Sequence, residues 1–129
     1  MTDLEQFNKA VAGFELKVVP EKANQFKRAI ALQILARVVM MTPVDTGRAR
    51  GNWQVSINTI NIGELSRLDS NGPGTIQTES EKIGDVQPGD AIWIHNNLPY
   101  IHVLEDGSSA QAPTGMLRVT LAEIESQFR

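Results

Sequence analysis

From Pro20 to Met41 the chain carries apolar side chains every three or four residues, and no other stretch restricts its fold as much. Ala23, Phe26, Ile30, Ile34, Val38 and Met41 form one stripe, and Leu35 and Val39 widen it. Lys22, Lys27, Arg28 and Arg37 fall outside it. That period belongs to an amphipathic helix. Pro20 suits the first helical position, where its missing N–H has no intrahelical partner. Pro43 drives Thr42 out of helical geometry, so the helix ends near Met41 after about six turns. A helix with one apolar side must lie on something, and the expected support is a sheet.

The remaining stretches supply that sheet and two further helices. Thr2 or Asp3 caps an expected first helix whose apolar face is Leu4, Phe7, Val11 and Phe14; residues 16–19 either extend it or cross over as an extended link. After the long helix, Trp53, Val55, Ile57 and Thr59 alternate with Gln54, Ser56, Asn58 and Ile60, the period of a half-buried strand. A polar loop over about 61–80 follows, with a turn at Ser70-Asn71-Gly72-Pro73-Gly74, and it is expected to be mobile in the free chain. Within it a short helix is expected over Thr75 to Ile83, with Glu79 and Glu81 near its start, where the helix dipole favours them. Ala91 to His95 is a second strand, Pro99 to Leu104 a helical turn, and Gly107 to Gln111 a small-residue loop. Pro113 opens an expected last helix with Leu117, Leu121, Ile124 and Phe128 on one face. The expected fold is α+β over residues 1–129 as one domain: a small antiparallel sheet packed by a long amphipathic helix and a C-terminal helix.

Composition narrows the function. With no cysteine among 129 residues, disulfides and thiolate metal sites are excluded. No apolar run approaches the roughly 18 residues of a membrane span, and the segment MTDLEQFNK reads as no secretory signal. Charge is split along the chain. Residues 1–53 hold eight Lys/Arg and five Asp/Glu, a balance of +3, whereas residues 54–129 hold four and ten, a balance of −6. The acidic half argues against sequence-specific nucleic acid binding, and opposite faces suit head-to-tail self-association.

Catalytic patterns are weak. His95, His102, Asp90, Glu105 and Asp106 share a neighbourhood, but no HExxH-type spacing occurs. Ser108 and Ser109 follow Gly107 without a nucleophile elbow, and Gly72-Pro73-Gly74 lacks the Lys-Ser/Thr of a phosphate loop. Arg48 and Arg50, two apart on an expected extended segment, point the same way and form a candidate clamp for a carboxylate or phosphate. Trp53 and Trp93 read as packing residues, and Tyr100 as the exception, between a proline and an acidic loop.

Two stretches carry a more specific signal: TPVDTGRARGNW over 42–53, and NNLPYIHVLEDGSSAQAPTGM over 96–116. Together they resemble the tail-completion (neck, head–tail joining or minor tail) proteins of long-tailed bacteriophages. The resemblance implies a non-enzymatic virion subunit without cofactor or metal. It would assemble with itself in a ring, expected to be a hexamer, at the head-proximal end of the tail. Implied partners are the tail terminator, the tail tube and the neck or head-completion proteins, with no membrane, and with DNA passing through the lumen. The implied location is the virion tail or neck, and the host cytoplasm during assembly. The implied subunit or partner interface draws Asp45, Arg48, Arg50 and Trp53 from the first stretch. The second contributes Tyr100, Glu105, Asp106, Gly107, Gln111, Pro113 and Met116. The Arg48/Arg50 segment is expected to meet Glu105 of its own subunit or an acid of the next. Alternatives are a tail terminator ring that stops tube growth, a small metal-dependent hydrolase built on His95, His102 and Asp90, and a monomeric binding module.

Overall fold

The long helix forms as its period requires: α1 spans Pro20–Met41, 22 residues. It is the first element of a computed structural model that describes residues 20–127. The expected N-terminal helix around Leu4 to Phe14, and Phe128, lie outside the described residues. In chain order follow α2 (Arg48–Gly51), β1 (Trp53–Ile57), α3 (Pro73–Gly84), β2 (Ile92–Asn96), α4 (Ile101–Glu105) and α5 (Leu117–Ser126).

The face that α1 buries is rotated from the expected stripe. Its fully buried line is Asn24, Ala31, Leu35, Val38 and Val39, while Phe26, Ile30 and Ile34 are half-buried. The cause is that α1 packs against α3 and α5 as well as the sheet, so its buried line is set by all three neighbours and not by the sheet alone. Asn24 is tolerated on that face because its Nδ2 donates to the Val86 carbonyl at 2.8 Å.

The sheet is the expected antiparallel pair, with Val55 opposite Ile94 and Ser56 opposite Trp93. Alternation sends Trp53, Val55, Ile57, Ile92 and Ile94 toward the core around Leu35, Val38 and Met116. β1 stops at Ile57, earlier than expected, because Asn58 takes the left-handed conformation (φ 64). The Asn58 side chain then receives the Ala91 N–H at 2.9 Å and donates to Asp90 at 3.0 Å, turning the chain away. Thr59 and Ile60 therefore lie beyond the strand and are exposed.

The outer edge of β1 has side chains where a third strand would be. Glu79 Oε1 accepts the Val55 N–H at 2.8 Å, and Arg67 donates to the Trp53 carbonyl at 3.1 Å. Glu79 is 1% exposed and is held by Lys82 at 2.8 Å and Arg67 at 3.2 Å. Burial acts to raise its pKa. The Lys82 hydrogen bond, the Val55 N–H, the Lys82 charge and Arg67 outweigh it and leave the carboxyl below its ordinary value. The expected dipole role of Glu79 is corrected accordingly: α3 starts at Pro73, so Glu79 lies mid-helix and faces the strand.

The polar loop is not a free segment in this fold. Asn52 accepts the Leu65 N–H at 2.7 Å and donates to the Leu65 carbonyl at 3.0 Å, and Arg67 Nε donates to Gly51 at 2.9 Å. Asp69 caps α3 by accepting the N–H of Gly72 at 2.8 Å and of Thr75 at 2.7 Å. Burial acts to raise the Asp69 pKa, but the bonds from Thr75 and Gly72 prevail and hold it below the ordinary value. A polar sequence that lacks an apolar stripe is thus ordered by side chain-to-backbone bonds, which periodicity does not register.

The last helix begins at Leu117, not at Pro113, because Glu105 takes the first amides of the helix and residues 113–115 loop around it. Its buried line runs through Thr120 and Ile124, so Leu121, expected on the apolar face, is 38% exposed.

Candidate functional site

The Pro43–Gly47 loop is set by what happens at the end of α1. Helix C-termini leave carbonyls without partners. Arg50 supplies them: Nε donates to Thr42 O at 2.9 Å, one terminal nitrogen to Met40 O at 2.9 Å, and the other to Ser70 O at 3.0 Å. The expected arginine clamp does not form. Residues 48–51 are one helical turn, not an extended segment, so side chains two apart diverge. Arg48 turns outward and pairs with Glu64 at 3.1 Å. Arg50→Lys should therefore lower stability by about 1–2 kcal/mol, since a single ammonium nitrogen lacks the spread by which three guanidinium nitrogens each reach a different carbonyl. Arg48→Lys should change it by under about 0.5 kcal/mol. Urea unfolding of both variants checks this.

Trp53 also belongs to the frame and not to an exposed interface. It is 4% exposed, and its indole N–H donates to Thr42 Oγ1 at 2.7 Å. Thr42 in turn bonds back to the Val38 carbonyl. Met116 is fully buried in the same core. Gly47 (φ +87) lets the 69–70 backbone press against the loop, where a Cβ would stand 2.6 Å from Ser70 N. No other residue type meets both demands.

The second stretch docks on the first. Gln111 pairs with the Val44 backbone in both directions: Oε1 accepts its N–H at 2.9 Å and Nε2 donates to its carbonyl at 3.1 Å. Asn96 Nδ2 donates to Ala49 O at 2.9 Å. Glu105 does not meet Arg48 or Arg50. Its carboxylate caps α5, accepting the N–H of Met116 at 3.1 Å, Leu117 at 2.8 Å and Arg118 at 3.0 Å. Gly107 ends α4 in a Schellman motif: its N–H bonds Leu104 O at 3.0 Å and that of Ser108 bonds Val103 O at 3.3 Å. With φ +90, its α-carbon faces the Pro113 carbonyl, where a Cβ would stand at 2.3 Å. Asp106 is exposed and only loosely paired with Arg118, at 3.8 Å.

Between the two stretches lies a cleft of about 260 Å³ with residues 43–49 on one wall and Tyr100, Leu104, Ser109 and Gln111 on the other. Of the residues expected at an interface, Asp45, Arg48, Tyr100 and Gln111 meet here. Arg50, Trp53, Glu105, Gly107, Pro113 and Met116 build the frame behind it, and Asp106 lies outside the lining. The Asp45 carboxylate is exposed and makes no ion pair or hydrogen bond among the described residues. An open carboxylate, a phenol, a serine hydroxyl and an arginine can receive a polar or cationic segment of another protein.

The histidines take other roles. His95 Nε2 lies 2.8 Å from Ser56 Oγ, and its Nδ1 lies 3.0 Å from Asn97 Oδ1. Asn97 Nδ2 is committed to the carbonyls of Asn61 and Gly63, which aims Oδ1 at Nδ1. Nδ1 therefore carries the proton, and the Ser56 hydroxyl donates to Nε2. The connectivity is that of a catalytic triad, but Ser56 is 7% exposed and its oxygen already accepts the Asn61 N–H at 3.0 Å. A nucleophile needs an open approach, so this is a polar layer between sheet and loop. Asp90 accepts from Asn58 and Gln87, and His102 is exposed on α4. Among the described residues no three His, Asp or Glu side chains are grouped to hold a metal ion.

Asn61, Arg67 and Asn97, which sequence reasoning passed over, hold the loop to the sheet together with Gln54 and Glu79, to which it gave other roles. Their available signal was the density of Asn and Gln around the turns, and it named no partners. Comparison with protein-family models, with curated proteins and with solved structures finds no match to this chain.

Proposed function

We propose that this chain is a structural virion subunit that forms a ring at the head-proximal end of a phage tail and joins the tail to the neck or capsid. The observation that carries the reading is that the two motif stretches form one unit. Gln111 of the second clasps the backbone of Val44 in the first. The cleft beside that clasp collects Asp45, Arg48, Tyr100 and Gln111 from positions far apart in sequence. A surface cleft with an open carboxylate and no nucleophile–base pair in its lining suits protein contact better than turnover.

The test is the mass of the purified chain, alone and after mixing with tails assembled without it. A closed ring, or binding confined to tail ends, is expected; a species that stays monomeric and ignores tails would overturn the reading. Within that assay, Asp45→Lys should cut tail-joined product at least about tenfold, the loss of one buried charge contact across an interface. Its urea midpoint should move little, because a solvated surface change costs within about 0.5 kcal/mol. Unchanged joining by Asp45→Lys would remove the cleft from the interface.

A further inference from the structure

The turn that leads into α3 holds the one Asn–Gly pair of the chain, Asn71–Gly72. In such a pair the glycine main-chain nitrogen can give up its proton and attack the asparagine Cγ, since no Cβ on the glycine shields that nitrogen. A bond forms between Cγ and the glycine nitrogen, the Cγ–Nδ2 bond breaks, and Nδ2 leaves as ammonia with the displaced proton. Water then opens the resulting succinimide at either carbonyl and leaves an aspartyl or an isoaspartyl residue. Asn71 is exposed, and its side chain makes no hydrogen bond among the described residues. Its amide is therefore open to attack and unprotected by a partner. The glycine is fixed by the fold: at φ +98, a Cβ on Gly72 would stand 2.6 Å from Met40 Sδ and 3.3 Å from Val39 Cγ1. Packing against the end of α1 thus keeps the labile pair in the turn.

The same turn carries what opposes the reaction. Asp69 Oδ1 accepts the Gly72 N–H at 2.8 Å, and this is the proton that must leave. Its loss would set an amide anion against a carboxylate, and a like charge disfavours that ionisation. The Thr75 N–H, bonded to the other Asp69 oxygen at 2.7 Å, favours the charged form of the carboxylate. The backbone is also pinned on both sides of the pair. The Asp69 N–H donates to Gly47 O at 3.0 Å, and the Gly72 carbonyl accepts the Ile76 N–H at 3.1 Å. Arg50 Nη1 donates to Ser70 O at 3.0 Å. Ring closure requires the Gly72 nitrogen to approach Asn71 Cγ, and a held backbone resists that approach.

We propose that Asn71 is a site of spontaneous deamidation through a succinimide, and that the Asp69 carboxylate keeps it silent in the folded chain. The site opens when the cap of α3 opens. Loss of ammonia makes the step one-way, and an isoaspartyl product adds a main-chain carbon beside the Gly72 that packs on Met40. The inference stands apart from the ring reading and does not need it. The test incubates the purified chain at mildly alkaline pH, natively and in urea, and follows position 71 by peptide fragment mass. Conversion in the native parent should be at least about tenfold slower than in urea, the scale on which a neighbouring like charge opposes loss of a proton. Asp69→Asn keeps the shape and an acceptor oxygen but removes the charge, so it should raise the native rate at least about tenfold. Ala31→Gly weakens α1 away from the turn and should leave the native rate near that of the parent. No conversion at position 71 in urea would overturn the inference, as would equal rates in the native and unfolded parent. An Asp69→Asn chain that converts no faster than the parent, or no faster than Ala31→Gly, would overturn the role of the carboxylate.

Discussion

Glu79→Ala is expected to cost the fold about 3–5 kcal/mol, as when one partner is removed from a buried charge network. The substitution leaves the Val55 N–H without its acceptor, on an edge where no strand among the described residues supplies another. It also strands Arg67 and Lys82 beside the vacated site. At this chain length the midpoint of thermal unfolding should fall by roughly 10 °C or more. Glu79→Gln keeps the shape and an acceptor oxygen, so it should lose less. The pH dependence follows from the direction of the shift. The folded-state pKa of Glu79 lies below its ordinary value, so its stabilisation is fully present above the unfolded-state pKa. It is lost as pH falls through the folded-state pKa. Urea midpoints measured downward from neutral pH should decline in that acid window, and the decline should be shallower in Glu79→Gln. Asp69, shifted in the same direction, supplies part of what remains. Equal acid slopes in parent and Glu79→Gln would remove Glu79 from this account.

Trp53→Ala is the second large loss, about 3–5 kcal/mol by the usual cost of emptying a buried aromatic site. The indole lies in the core cluster with Leu35, Val38 and Met116, and its N–H ties β1 to the last residue before Pro43. Trp53→Phe keeps most of the volume and gives up the hydrogen bond, so it should cost about 1 kcal/mol. Guanidinium unfolding followed by circular dichroism distinguishes the two. If both variants matched the parent in stability while the proposed tail joining was lost, Trp53 would return to the interface. The structure instead makes it the post on which the motif loop stands.

The order of elements was legible in the chain. Pro20, the period through Met41 and Pro43 bound α1, and alternation from Trp53 to Ile57 marks β1. These signals are local: a proline acts on its neighbour, and a period is set by one backbone geometry. The site was legible in part. The two stretches that carry the family resemblance do meet, and four of their singled-out residues line one cleft. Their division of labour was not legible. Arg48 and Arg50 look equivalent two residues apart, yet one is solvated and the other bonds three carbonyls, because α2 is a turn of helix. Glu105 looks like an arginine partner and is a helix cap, because α5 begins against it.

The sequence by itself determined the α+β class, the long helix, the two strands and the break at Pro43, since each follows from forces acting within a few residues. The tertiary structure alone decided which side of α1 is buried, that a polar loop is stitched to the sheet, and that a carboxylate completes the edge of β1. Burial is shared among all the elements that reach a surface, and a hydrogen bond binds residues by distance in space. Glu79 and Val55 stand 24 positions apart in the chain and 2.8 Å apart in the fold.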